Sequence, residues 1–397
     1  MSQTPLALIS EDASLQLALL DDEGEPQIKT RLDVSREQLL FMWPSWSPDG
    51  GQIAVSASSK HPEHPRLDLW RVPFAEGEPQ PLFSNPRDGL QQIAPGLSHY
   101  VYWAPGGRAL AVVANVGSGL AINLVAGGGQ GDARRLIDGA PIYFAWAPDG
   151  RAVLVHRNYE LILFDLASGG GPRQLLRSRP SFRAPVWNSA GDGFFFATPR
   201  SGHGSTIVQG QRTGDERVEL LERSRPVAFV RAPSDDRLAV VSLQEGDREG
   251  AELTILDPHS QQQRRLSQRT VNGVFWSPDG RALYAFEPQP SSTMIALTRY
   301  DAEARDHPGE RLARFQPSAE FATMLTFFDQ FALSHQIVSA DGRWITFAGL
   351  ALGNGGSGRR GFGPQNGCYV VPADGSGPPR RVAAGSIAFF PPAVARS

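Results

Sequence analysis

The chain has 397 residues, and its 42 glycines and 32 prolines are typical of a protein built largely from turns. A formal net charge of −3 at pH 7 argues against a nucleic-acid partner recognised by bulk charge. A single cysteine, Cys368, excludes an internal disulfide and any multi-cysteine metal site. There is no apolar run long enough for a membrane span and no signal-peptide pattern at the first residues, so we expect a cytoplasmic protein.

Three short apolar runs open the chain, at residues 6–9, 15–19 and 27–30. The last two flank a polar turn at 21–24, which is the pattern of an antiparallel hairpin. We interpret the three runs as strands two to four of a sheet whose first strand comes from elsewhere in the chain.

A five-residue phrase of the form Trp-Ser/Ala-Pro-Asp/Gly-Gly then recurs at 46–50, 103–107, 146–150 and 276–280. Weaker copies start at residues 187, 231 and 338, so seven copies start 41 to 62 residues apart. Proline presets the turn, and glycine takes a positive φ without steric cost. Short apolar runs lie on both sides of each copy. The phrase therefore predicts a buried hairpin, with the Trp ring filling the wedge between neighbouring sheets.

A second, more polar hairpin follows each of these buried hairpins. Its last strand often begins with paired arginines, as at 134–135, 264–265 and 380–381. Charged side chains on an outermost strand protect a sheet edge from unwanted pairing. Repeats of 20–50 residues with four strands each predict the blades of a β-propeller.

The phrase at 276–283, with its relatives at 46–53, 103–110 and 146–153, resembles the WD40-like or TolB-type (PD40) propeller repeat. It is also similar to the propeller repeats of prolyl-oligopeptidase and dipeptidyl-peptidase proteins. The resemblance implies a disc with a central channel and assigns no activity. Gly355-Gly-Ser357-Gly-Arg359 fails the Gly-x-Ser-x-Gly pattern at its last position, so no hydrolase elbow is present.

The two ends of the chain complete the blade count. The C-terminal run 386–392 matches a first strand, with Phe390 at the Trp position, and we expect it to join the N-terminal strands within 5–34. The sequence thus predicts an all-β, eight-bladed propeller of four-stranded antiparallel blades. A seven-bladed ring is the alternative. Residues 1–397 would form a single domain.

Long connections gather on the face opposite the Pro-Asp-Gly turns, which we call the long-loop face. They include 58–66, 84–98, 316–334 and 350–366. The inserted segment 316–335 has helical spacing of apolar residues, and Ser318 is a suitable cap. Two interpretations stay open. The helix packs as a lid over the channel, or Phe327 and Phe328 form a patch for a partner.

Residues just before each Trp position should stand at the channel mouth on the long-loop face. The candidate ligand- or partner-binding residues there and on the inserted segment are Trp43, His99, Tyr100, Tyr143, Arg183, Asn272, Phe327, Phe328 and His335. Aromatic faces with an arginine and two imidazoles suit a polar ligand.

These residues favour a non-catalytic propeller that binds a protein, peptide or small polar ligand through the long-loop face, without a cofactor, metal or catalytic group. The alternative is a metal-dependent enzyme resembling oligogalacturonate lyase, with His99 and His335 as metal ligands and Arg183 on a substrate carboxylate. A third possibility is a regulatory propeller for a separately encoded hydrolase. The oligomeric state does not follow from the sequence.

Overall fold

The Pro-Asp-Gly turns reverse the chain in the way the sequence predicts. In the first copy the Ser47 hydroxyl accepts a hydrogen bond from Gln52 N (2.9 Å) and Asp49 Oδ1 accepts one from Gly51 N (3.0 Å). The hydrogen bond from Ser47 lowers the pKa of Asp49, which keeps this carboxylate ionised. Gly50 has a φ of 68°, a conformation that glycine adopts without strain.

The structure is a computed structural model that describes residues 3–33, 38–61, 63–128, 133–167, 171–177, 183–200, 204–214, 216–243, 252–304, 308–351 and 366–393. Within these ranges the protein is all-β, with six four-stranded antiparallel sheets and one seven-stranded sheet. Two short helices and a 3-10 turn (Arg87–Gly89) accompany the strands.

The first sheet contains both ends of the described chain. It has the order β3-β2-β1-β31, with β1 (Thr4–Ser10), β2 (Leu15–Leu20), β3 (Pro26–Leu32) and β31 (Gly385–Phe389). In the antiparallel β1–β31 pair, Ala7 is opposite Phe389 and Ile9 is opposite Ile387. The predicted pairing of the C-terminal strand with the N-terminal strands is therefore present.

Each of the other four-stranded sheets uses four consecutive strands, and the seventh sheet uses seven. Sheet 2 contains β4 (Leu39–Trp46), β5 (Gln52–Ser59), β6 (Leu67–Pro73) and β7 (Gln80–Ser84). Sheet 3 contains β8 (Tyr100–Trp103), β9 (Ala109–Asn115), β10 (Leu120–Ala126) and β11 (Arg134–Asp138). Sheet 4 contains β12 (Ile142–Trp146), β13 (Ala152–Arg157), β14 (Glu160–Asp165) and β15 (Arg173–Arg177). Sheet 5 contains β16 (Val186–Trp187), β17 (Gly193–Pro199), β18 (Ser205–Gln211) and β19 (Arg217–Arg223).

Sheet 6 contains β20 (Val227–Arg231), β21 (Leu238–Ser242), β22 (Leu253–Leu256) and β23 (Gln263–Ser267). Sheet 7 contains β24 (Gly273–Trp276), β25 (Ala282–Pro288), β26 (Ile295–Asp301), β27 (Glu310–Pro317), β28 (Trp344–Ala351), β29 (Asn366–Pro372) and β30 (Arg380–Ala383).

The repeated tryptophans join neighbouring sheets through their indole N–H groups as well as through packing. Trp103 donates to Ser45 O (3.1 Å), Trp146 to Tyr102 O (3.0 Å), and Trp276 to Val230 O (3.1 Å). Trp46 and Trp187 make the equivalent bonds, to Phe389 O (2.9 Å) and Ala145 O (3.2 Å). In each case the acceptor is the residue just before the Trp position of the preceding sheet. The indole thus satisfies a carbonyl that a first strand leaves without a ladder partner.

Two helices lie between β27 and β28. They are α1 (Ala319–Thr326) and α2 (Phe328–Phe331), and the Ser318 hydroxyl caps α1 by accepting a hydrogen bond from Phe321 N (3.1 Å). Within the described ranges no helix has the length and apolar character needed to cross a membrane. Residues 352–365, which include most of the predicted 350–366 loop, lie outside the described residues.

Candidate functional site

The inserted helical segment is buried at the end of the channel where the first strands begin. Phe321, Met324, Leu325, Phe328 and Phe331 are all at most 2% exposed, and Phe327 is partly buried. Phe328 is therefore packed in the core, where no partner can contact it without displacing the helix. This burial favours the lid interpretation over the docking patch, and we call residues 318–335 the plug.

A glutamine amide attaches the plug to sheet 4. Gln330 Nε2 donates to Phe144 O (2.8 Å), and Gln330 Oε1 accepts from Phe144 N (2.8 Å). The same Nε2 donates to the Tyr100 hydroxyl (2.9 Å), which in turn donates to Gln330 O (2.9 Å). Since β12 is the inner edge strand of its sheet, the side chain completes a free strand edge as another strand would.

Next to it, an aspartate attaches the plug to the start of sheet 5. Asp329 Oδ2 accepts a hydrogen bond from Ala184 N (2.9 Å), and Oδ1 lies 3.6 Å from Arg183 Nη1. Complete burial raises the pKa of Asp329, and the charge of Arg183 opposes that rise. The predicted binding residue Arg183 thus neutralises a carboxylate of the protein itself.

Trp43, Tyr100 and His335 do come together, as a packed cluster around the plug. The Trp43 ring stacks on Phe331 with centroids 4.9 Å apart, and the His335 ring lies 4.7 Å from that of Phe389. His335 Nδ1 is 2.7 Å from the Ser334 hydroxyl, and burial lowers the His335 pKa to about 3. The cluster therefore contributes neutral packing to the core.

His99 forms a Ser-His-Asn arrangement that resembles a catalytic triad. Its Nδ1 is 3.0 Å from the Ser56 hydroxyl and its Nε2 is 2.8 Å from Asn85 Oδ1. However, Ser56 is 0% exposed, so no substrate can reach its hydroxyl. Burial lowers the His99 pKa to about 3. The arrangement fixes the 84–98 connection to sheet 2.

The other two predicted residues differ in their surroundings. Tyr143 is buried, close enough to Asp329 and Arg183 to interact with their charges, and burial raises its pKa to about 12. Asn272 is exposed, and its backbone N donates to Phe286 O (2.8 Å). Within the part of the chain that the structure describes, no group of three or more His, Cys, Asp or Glu side chains could hold a metal ion.

A cavity of about 360 Å³ lies at the other end of the channel, on the face of the Pro-Asp-Gly turns. We call it the axial cavity. Turn residues form its rim, and Ala332 and Leu333 at the end of the plug also line it. Its wall is mainly apolar and aromatic and includes the turn residues Pro105, Pro148, Pro233, Pro278 and Ala340 together with Trp146, Trp187 and Trp276. The channel is thus closed by the plug near one end and carries a cavity at the other.

Apart from the indoles, polar side chains in the axial cavity are few. Among the described residues they are Arg231, Tyr102 and the half-buried Gln336. Arg231 Nη1 donates to Ala232 O (2.8 Å) and Asp235 O (2.7 Å) and lies 3.8 Å from Asp236 Oδ1. Burial lowers the Arg231 pKa and raises that of Tyr102 to about 12. The two side chains are close enough to influence each other's charge.

The sequence carries a signal for this cavity in the copies of the repeat that lack Trp. Trp is replaced at three positions of the repeat, by Arg231, Val338 and Phe390. Arg231 and Val338 line the cavity. Three more lining residues stand just before a Trp position of a preceding sheet: Val186, Phe275 and Ile337. Their carbonyls would have accepted the hydrogen bonds of the missing indoles. The cavity therefore lies where the repeat loses its inter-sheet tryptophans.

No protein-family model matches the chain, and no curated protein shows significant sequence similarity to it. Solved structures do match in fold. A eukaryotic initiation factor has a TM-score of 0.57 at 12% identity, with 99% of this chain and 100% of that chain covered. A prolyl endopeptidase has a TM-score of 0.55 at 10% identity, and the match covers 89% of this chain and 50% of the endopeptidase.

An oligogalacturonate lyase in complex with manganese has a TM-score of 0.51 at 15% identity, covering 72% of this chain and 78% of the lyase. At such identities the likeness concerns the fold alone. The resemblance to propeller repeat proteins predicted from the Trp-Ser-Pro-Asp-Gly phrase is confirmed at that level: the chain has a propeller-type fold.

Proposed function

We propose that the protein is a non-catalytic binding propeller whose axial cavity takes a small ligand from the face of the Pro-Asp-Gly turns. The cavity itself carries this proposal. Its volume of about 360 Å³ and its aromatic and proline wall with few polar groups are typical of small-molecule sites. The sequence placed binding on the long-loop face; the buried plug supports the opposite face.

We also propose that the chain forms a single domain, a ring of eight blades around this cavity. Sheet 7 divides naturally into two blades, because β27 and β28 pair only at Phe315–Ala351, Gln316–Leu350 and Pro317–Gly349. Val338 forms a bridge to Ile345, and Thr346 N donates to Ile337 O (2.8 Å), which supplies a short first strand for the last blade. The six four-stranded sheets and these two halves give eight.

A non-catalytic role is supported by how the candidate catalytic groups are used. His99, His335 and Arg183 each contact other parts of the protein, and the two imidazoles are at most 2% exposed. A nucleophile or metal ligand must reach the reacting atoms. The sequence also predicts a protein or peptide partner, and the end of a peptide would fit the same cavity. The experiment below therefore tests peptides beside small molecules.

The test is to obstruct the cavity and follow binding. A fragment library of neutral, acidic and basic compounds, with short apolar peptides as a separate arm, is screened by ligand-observed NMR. Ala340→Trp places an indole at the exposed rim, and Ala332→Phe fills the inner end. Ala75→Trp, at an exposed outer turn, is the matched control.

We expect fragments that bind the wild type and Ala75→Trp and that lose binding in both obstructed variants. Hits confined to peptides would reassign the cavity to a peptide partner. Hits that persist in both obstructed variants, or no hits with the wild type, would overturn the proposal.

A further inference from the structure

Arg231 is the only charged side chain that lines the axial cavity within the described residues. It occupies a position at which five of the other seven copies of the repeat carry an indole: Trp46, Trp103, Trp146, Trp187 and Trp276. Because a guanidinium cannot replace the packing of an indole, this substitution exchanges a structural contact for a positive charge at a cavity wall.

The charge of Arg231 is only partly compensated by the protein. Two carboxylates lie near it: Asp236 is 3.8 Å away, beyond hydrogen-bond distance, and Asp235 is paired with Arg237 at 2.9 Å. Asp236 Oδ1 also accepts a hydrogen bond from Ser189 N (2.7 Å), and its Oδ2 lies 3.4 Å from His259. Asp236 is therefore shared among three groups, which leaves Arg231 able to attract a second anion.

The donors of Arg231 are divided in a way that suits a carboxylate. Nη1 is used by two backbone carbonyls, whereas Nε and Nη2 have no acceptor among the described residues. Nε and Nη2 form the parallel fork that binds the two oxygens of one carboxylate. The Tyr102 hydroxyl, which likewise makes no hydrogen bond within the described part of the chain, is a further donor on the same cavity.

From this geometry we infer that the ligand of the axial cavity is a small organic monocarboxylate with an apolar body, its carboxylate on Arg231 and Tyr102. The indole and proline surfaces of the wall would take the apolar body. A single cation matches a monoanion better than a phosphate dianion, which favours the carboxylate. This inference rests on the function proposed above.

Matched probes test the charge separately from the cavity. The affinities of 3-phenylpropionate, 3-phenylpropanamide and phenylphosphate are measured by NMR titration with the wild type and with Arg231→Gln, Tyr102→Phe and Arg223→Gln. Arg223 is the control because its side chain is 19% exposed, close to the 21% of Arg231, while it lies on the outer strand β19 and does not line the cavity.

We expect the wild type to bind the carboxylate about tenfold more tightly than the amide, the usual scale for one charge-assisted contact. Arg231→Gln should remove that preference and leave the binding of the amide unchanged, Tyr102→Phe should weaken the binding of the carboxylate a few-fold, and Arg223→Gln should change neither affinity. The wild-type comparison stands even if Arg231→Gln does not fold.

Equal binding of carboxylate and amide, with both lost in Ala340→Trp, would overturn the monocarboxylate and leave the proposed function intact. Tighter binding of phenylphosphate would overturn the choice of head group. If none of the three probes binds at millimolar concentration, the inference falls, and the fragment screen decides the proposed function on its own.

Discussion

Replacing Gln330 by Leu is expected to loosen the plug at its most specific contact. The leucine has a similar size, but it removes all three hydrogen bonds of the side-chain amide, to Phe144 N, Phe144 O and the Tyr100 hydroxyl. Gln330 is 5% exposed, so water cannot easily replace these bonds. Each buried group left without a partner costs roughly 1–3 kcal/mol, and the Tyr100 hydroxyl keeps other partners. We therefore expect the free energy of unfolding to fall by about 3 kcal/mol.

Urea unfolding followed by tryptophan fluorescence measures this change. Gln262→Leu is the control, because Gln262 is exposed and its substitution should stay within about 0.5 kcal/mol of the wild type. A loss of less than about 1 kcal/mol in Gln330→Leu would refute the reasoning, since the amide would then not be needed to complete the edge of β12.

Two further predictions concern the tryptophans and the histidines. Trp276→Phe should destabilise the protein by about 1–2 kcal/mol more than Trp344→Phe. The reason is that the indole of Trp276 donates to Val230 O, while that of Trp344 has no acceptor among the described residues. Thermal and urea unfolding of the two variants measure the difference. His99 and His335 have folded pKa values lowered to about 3 from 6.5, so the unfolded state binds protons first as the pH falls, and the stability they provide is present above pH 6.5 and is lost towards pH 3. At pH 5 each histidine lowers the free energy of unfolding by about 2 kcal/mol. His335→Phe should therefore remove about half of the fall in the free energy of unfolding between pH 7.5 and 5, measured by urea unfolding at each pH. The same fall in His335→Phe as in the wild type would contradict this prediction.

Much of the architecture was predictable because it depends on local chemistry. A Pro-Asp-Gly turn between apolar runs forms a hairpin wherever it occurs, and the terminal run ending at Phe390 has the pattern of the missing strand of the first sheet. The helix over 319–326 followed from its apolar spacing and its Ser318 cap. These features need only neighbours within a few residues.

The plugged end of the channel was not predictable in the same way. Asp329 and Gln330 read as polar residues on a helical segment, and polar residues of this kind usually face water. Their partners are backbone atoms 145 and 186 residues away, which no local pattern reveals. The histidines of the predicted mouth were misleading for the same reason, since burial decides whether an imidazole binds a ligand or packs.

The position of Arg231 connects the stability of the ring with its function. The repeat supplies an indole to a neighbouring carbonyl at five of its eight positions, and Arg231 leaves the carbonyl of Val186 without one. Arg231→Trp should restore that contact at about 1 kcal/mol for the hydrogen bond, but it removes the two hydrogen bonds from Nη1 to Ala232 O and Asp235 O and a weak ion pair to Asp236 at 3.8 Å.

We therefore expect Arg231→Trp to stay within about 2 kcal/mol of the wild-type stability and to lose the binding of 3-phenylpropionate, with circular dichroism, urea unfolding and NMR titration as the measurements. Sites that depart from the pattern of a fold at a cost in stability are usually retained for function. If Arg231→Trp instead loses more than about 2 kcal/mol, the guanidinium has a structural role in sheet 6, and its departure from the repeat needs no ligand to explain it.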